Sequence, residues 1–153
     1  MSHPEEKLTE LGLKLPEVAK PVAAYVPSLR TGNLVYTSGQ LPLRDGTLIA
    51  TGKVGAEVTA EVAGECAQQC ALNALAAVKA QIGDLGSITR VVKVVAFIAS
   101  TPDFTGQPQV ANGASELFGQ VFGEAGQHAR SAVGVPVLPL DAPVEVELIV
   151  EVG

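Results

Sequence analysis

Along the chain the spacing of apolar positions changes several times, and each change marks an element. Residues 5–12 carry the amphipathic pattern of a short helix, after which Pro16, Pro21 and Pro27 hold an extended arm. In NLVYTSGQ, Leu34, Tyr36 and Ser38 alternate with Val35, Thr37 and Gly39, the period of a strand. The RDGT run makes a turn, from which a short strand in LIATG pairs back. From Thr59 to Ile82 the period becomes helical. Thr59 caps, Glu61 suits the first turn, and Ala63, Ala67, Ala74, Val78 and Ile82 draw a narrow small-residue stripe suited to close packing on a sheet.

GDLG ends that helix, and RVVKVVAFIAS is a continuous β-branched run that reads as a strand buried on both faces. A second helix spans Pro108–Phe122, with Val110, Ala114, Leu117, Phe118, Val121 and Phe122 on one face and Gly123 as its stop. ARSAVGVPVL and VEVELIVEV are two further strand patterns joined by PLDAP. The order β, β, α, β, α, β, β, without repeats, predicts an α+β protein with about six strands in a mixed sheet and both main helices on one face. Residues 1–24 form an N-terminal arm with a possible short helix, and 25–153 a single domain.

Composition sharpens this picture. Apolar residues make up 47% of the 153, charged residues only 17% and aromatics 4%, so the core is built from Val, Ala, Leu and Ile. So apolar a short chain points to further burial in an oligomer. The net charge of −6 leaves no electrostatic footprint for a phosphate backbone, so nucleic acid is not the expected partner. Cys66 and Cys70 fit neither a disulfide framework nor a zinc pattern; one helical turn apart, they read as buried, inert side chains. No apolar run is long enough to cross a bilayer and no leader pattern opens the chain, so a soluble, cytoplasmic protein is expected.

One residue then stands out. Arg130 lies between a glycine-rich turn and a strand, with only small neighbours, and a guanidinium is rarely buried without a partner. Strand parity puts Ala132 and Gly134 on its face, a floor almost bare of side chains that leaves room for a small ligand. In the last strand Val144, Val146, Leu148, Val150 and Val152 share one face, and Glu145, Glu147 and Glu151 share the other with Ile149. One of these carboxylates is a candidate to line the same space as Arg130. On pattern alone, a solvated glutamate face and a structural ion pair for Arg130 explain these residues more simply.

NLVYTSGQLPL, QPQVANGASELF, HARSAVGV and LPLDAPVEVELIVEV, in that order and with the alanine-rich helix and GDL between them, resemble the RidA/YjgF/YER057c/UK114 family from about Tyr25 to the C-terminus. The resemblance implies a chorismate-mutase-like α+β fold and a homotrimer with sites in the clefts between subunits. It also implies hydrolysis of enamine or imine intermediates such as 2-aminoacrylate to 2-keto acids and ammonia, with no cofactor and no metal. By local matching it assigns the carboxylate-binding arginine to Arg130, the serine to Ser38, the tyrosine to Tyr25, the helix asparagine to Asn112 and the strand glutamate to Glu145.

Those residue types suit the chemistry. A guanidinium holds a carboxylate in a planar, bidentate fork, and an electrophilic iminium needs only a positioned water, a base and a proton for the departing nitrogen. Glu145 is the expected base, with Ser38 and the Gly39 N–H as orienting groups. Better-known members carry ARSC where this chain has Ala132, which leaves only a backbone carbonyl to hold water at that position. Simpler roles stay open: local backbone bonding for Ser38, an interface aromatic for Tyr25, a buried or intersubunit hydrogen bond for Asn112, loop polarity for His128. At the level of function, a non-catalytic trimer that binds a small carboxylate metabolite or a protein partner is the alternative, and a ribonuclease is disfavoured by the acidic charge.

Overall fold

The computed structural model describes residues 3–18 and 24–153. Pro21 of the expected extended arm lies outside these residues. Helix α1, Pro4–Glu10, is capped by His3, whose Nδ1 accepts from the Glu5 N–H, and it buries Leu8. The arm is therefore docked: α1 packs on the later helix α3, Gln107–Phe122, and on the turn 85–87, where His3 pairs with Asp84.

The main sheet has five strands in the order β1-β2-β7-β5-β6: β1 Ser28–Thr31, β2 Leu34–Thr37, β5 Ile88–Ala99, β6 Ala129–Val135 and β7 Val144–Val152. Only β5 and β6 run parallel, joined by the crossover through α3. The mixed sheet is that of the expected α+β fold, and two details of its strands differ from the sequence reading. β1 joins through a tight turn at Gly32, and the LIATG region does not enter the sheet. Instead β3, Leu43–Arg44, and β4, Thr47–Leu48, form a separate hairpin. Asp45 and Gly46 both hold positive φ, 54° and 80°, as a two-residue primed turn requires.

Helix α2, Ala60–Ile82, begins where expected, with Thr59 Oγ1 accepting from the Val62 N–H 3.2 Å away. It is not limited to a narrow buried stripe: residues 69–78 are all buried, because the sheet, α3, Gln107–Phe122, and the β3–β4 hairpin surround it. The two helices touch backbone to backbone. A Cβ on Gly113 of α3 would fall 2.0 Å from the Gly64 carbonyl oxygen of α2, so only glycine permits this approach.

Both helices cover one face of the sheet. Val91, Val94, Ala96 and Ile98 of β5 and Val144, Val146, Leu148, Val150 and Val152 of β7 are buried beneath them with Phe118 and Leu75. Among the described residues the other face carries no helix. On it the register aligns Leu29 with Tyr36, Tyr36 with Ile149, Glu147 with Val95 and Ser131, and Glu145 with Phe97 and Val133. Strand β5, read as buried on both sides, is covered on one side only by the described residues of a single chain. Among the described residues no helix is long and apolar enough to cross a membrane.

Candidate functional site

The residues singled out from sequence fall into two groups. On the open face, Glu145 and Gly39 are in contact: a Cβ on Gly39 would meet Glu145 Oε2 at 2.2 Å, so the carboxylate occupies the space any side chain there would fill. The approach is fixed by backbone pairing one residue on, where the Gln40 N–H donates to Val146 O at 2.8 Å and the Val146 N–H returns to Gln40 O at 3.0 Å. Glu145 is half-buried. Burial first, and the neighbouring Glu147 second, raise its proton affinity above that of an ordinary carboxylate. A carboxylate so placed is suited to take a proton from water.

Ser38 precedes Gly39, but its hydroxyl donates to the Val26 carbonyl at 2.6 Å while its N–H bonds Pro27 O at 2.8 Å. Its hydrogen is spent on local backbone, which leaves the Oγ lone pairs as its free function. Tyr25 is 54% exposed and Val26 55%, so in the single chain the tyrosine stands at the margin of the site.

The second group sits on the other side of the sheet. Arg130 is in register with Val94, whose partner on β7 is Leu148, and so belongs to the helix-covered face. Arg130 and Glu145 therefore do not line one space within a chain, because they stand at opposite parity across β5. Arg130 Nη1 donates to Asn112 Oδ1 at 2.7 Å and to Ser115 Oγ at 3.2 Å, both on α3. Asn112 thus orients the guanidinium. Ser115 was not singled out from sequence, although it lies three residues after Asn112 on the same helical face, which is the signal that finds it.

All these partners are neutral. Among the described residues, no carboxylate lies within ion-pairing distance of Arg130. A structural ion pair within the chain, the simpler account of Arg130, is not what the structure contains. The guanidinium borders an open cavity of about 350 Å³ that Ser115, Gln127 and His128 also line. His128 packs edge-on against Phe118 with ring centroids 6.0 Å apart. Burial, and to a smaller extent the charge of Arg130, lower its proton affinity, partly offset by its bond to the Ala129 carbonyl.

The bare floor expected beside Arg130 is filled. Ala132 packs against the core, and a Cβ on Gly134 would lie 2.9 Å from both Gln107 Nε2 and Ser100 Oγ. Cys66 and Cys70 are buried and free, and burial raises their thiol pKa values, Cys66 to about 11, as expected of inert side chains.

Comparison with known proteins adds to this geometry. The model of the family described as "YjgF/chorismate_mutase-like, putative endoribonuclease" matches residues 5–152. The chain is 46% identical over 147 residues to Protein TCP17 of Trypanosoma cruzi, covering 95% of this chain and 92% of that protein. It is 34% identical over 140 residues to a 2-iminobutanoate/2-iminopropanoate deaminase of Dermatophagoides farinae, covering 90% and 93% of the two chains. A solved structure of a protein of unknown function from Agrobacterium tumefaciens superposes with a TM-score of 0.93 at 48% identity, over 98% of this chain and 92% of that one.

Proposed function

Since the chain belongs to the YjgF/chorismate-mutase-like family, we propose that it hydrolyses small 2-imino acids and their enamine tautomers to 2-keto acids and ammonia. The sites are clefts between subunits of a homotrimer. Arg130 of one subunit binds the substrate carboxylate, and Glu145, Gly39 and Ser38 of the next act on the C=N carbon. The observation that carries this proposal is Arg130 itself. Among the described residues the half-buried guanidinium has the neutral hydrogen-bond partners Asn112 and Ser115 and no counter-charge, and a carboxylate substrate supplies one. Its Nη1 is engaged, leaving Nη2 and Nε as the fork.

The opposite placement of Arg130 and Glu145 gives the neighbouring subunit its role. A second copy has to bring its open face, with Glu145, to the β6 edge of the first, and that contact also covers the exposed Leu29, Tyr36 and Val133. In the reaction, Glu145, poised by burial to accept a proton, takes one from water as the oxygen attacks the imine carbon. Glu145 then gives that proton to the nitrogen of the resulting carbinolamine and takes the hydroxyl proton as the C=O bond forms and the C–N bond breaks, so that ammonia leaves and the 2-keto acid remains on Arg130. The relative from Dermatophagoides farinae, named a 2-iminobutanoate/2-iminopropanoate deaminase, supports this substrate class.

The test couples an enzyme that releases a 2-imino acid to detection of the keto acid, with and without this protein. Faster keto-acid formation is expected. A rate unchanged at equimolar protein would leave the alternative, a trimer that binds small carboxylates without turning them over.

A further inference from the structure

A cavity of about 720 Å³ lies between residues 12–17 of the arm, the β3–β4 hairpin and helix α2, and none of the residues of the two groups above lines it. Its floor is polar where the rest of the buried stretch 69–78 of α2 is not. Gln69 and Asn73 are each 5% exposed in a stretch otherwise made of Cys, Ala, Leu and Val. Asn73 Nδ2 donates to the Leu41 and Leu43 carbonyls at 2.9 and 3.0 Å, which fixes the base of the hairpin. Gln69 has no such duty. Its Nε2 donates to Asn73 Oδ1 at 3.1 Å and its Oε1 accepts from Arg44 Nε at 3.2 Å.

Burying an amide to hold an exposed arginine contributes little to folding, since the arginine would be well solvated without it. What the arrangement does is aim a cation. With Nε held from behind by Gln69, the terminal Nη1 and Nη2 of Arg44 form an end-on fork at the cleft. Among the described residues, no carboxylate lies within ion-pairing distance of Arg44, although Asp45 and Glu17 also line the cavity. The hairpin turn at Asp45 and Gly46 pins the backbone that carries it.

We infer that this cleft is a second ligand site, independent of the site proposed above, and that it takes a small organic monocarboxylate on the Arg44 fork, with Lys14 of the arm at its rim. The planar, two-oxygen group matches the end-on guanidinium. Asp45 and Glu17 repel a doubly charged anion, which selects a monocarboxylate over phosphate.

The experiment is an NMR titration of the full chain carrying Arg130→Ala, so that the arginine of the site proposed above is removed and binding there does not contribute. The probes are pyruvate, its uncharged amide and inorganic phosphate. Pyruvate is expected to move the Arg44 Nε–H signal and the Gln69 and Asn73 side-chain amides to saturation in the millimolar range. Arg44→Lys weakens this about tenfold, the scale of one charged hydrogen bond, and Arg44→Ala abolishes it. The β7 amide shifts, unchanged in these variants of an exposed residue, certify the fold. No saturable change up to tens of millimolar pyruvate, a change that survives Arg44→Ala, or binding of the amide or of phosphate as tight as that of pyruvate would each overturn the inference.

Discussion

The same strands carry two different chemistries on their two faces. Beneath α2 and α3 the sheet presents Val94, Ala96, Ile98, Val144, Val146 and Leu148, all sealed from solvent. On the reverse, at alternate positions of the same strands, stand Glu145, Glu147, Tyr36 and Val133, polar and apolar mixed and at least partly exposed. The covered face holds the fold together, and the charges at its parity, Arg30 and Arg130, stand on the edge strands β1 and β6. The open face contributes little to the stability of a single chain. Its groups are free to be placed for chemistry, at the cost of an apolar surface that asks for a second copy.

The largest effect should come from removing bulk on the covered side. Phe118→Ala should cost about 3–5 kcal/mol of stability by opening a cavity between α3 and β5. Tyr36→Ala, on the open face, should leave the stability of the dissociated chain within about 1 kcal/mol but weaken the oligomer. Denaturant unfolding at several protein concentrations, with sedimentation for mass, separates the two. Equal losses in the dissociated chain would erase the distinction between the faces.

Next in size is Glu145→Gln, which keeps the shape beside Gly39 but removes the base. Single-turnover hydrolysis should fall about 10²–10⁴-fold, with Glu147→Gln doing much less. Arg130→Lys keeps the charge and loses the fork, so ligand binding should weaken by about 1.5–3 kcal/mol while the oligomer persists; calorimetry with a keto acid measures it.

The smallest effect sharpens the electrostatics of the open face. Glu145 in the dissociated folded chain holds its proton more tightly than in the unfolded chain. Its contribution to stability is therefore full below the unfolded value, near 4.5, and is lost as pH rises through the higher folded value. Glu145→Gln should then be slightly more stable than the natural chain at neutral pH and indistinguishable from it below pH 4.5, in unfolding curves taken at high dilution. The gain is modest because the carboxylate is half-exposed and screened.

How much of this was legible before the structure depended on where each pattern is made. Alternation in β7 separated the valines from Glu145, Glu147 and Glu151 correctly, because each face of that strand meets one environment. The caps at Thr59 and Gly123 and both long helices followed from local chemistry. Strand β1 did not, since SLRT at the sheet edge shows no alternation, with one buried residue followed by three exposed ones. The floor near Arg130 was misread because parity tells which residues share a face and not what covers them; Gln107 and Ser100 reach Gly134 from other elements. Glu145 and Arg130 were assigned through family resemblance, and their separation across the sheet needed the register of three strands.

That separation is the central claim, and mixing two inactive variants tests it directly. Arg130→Ala and Glu145→Gln, each purified alone and inactive, are unfolded together in equal amounts and refolded as mixed oligomers. If each site takes its arginine from one subunit and its glutamate from the next, about a quarter of the sites in randomly assembled trimers regain both groups, and hydrolysis should return to about a quarter of the unmutated level. If both residues of a site come from one chain, no mixture of the two variants regains activity, and the intersubunit account is contradicted.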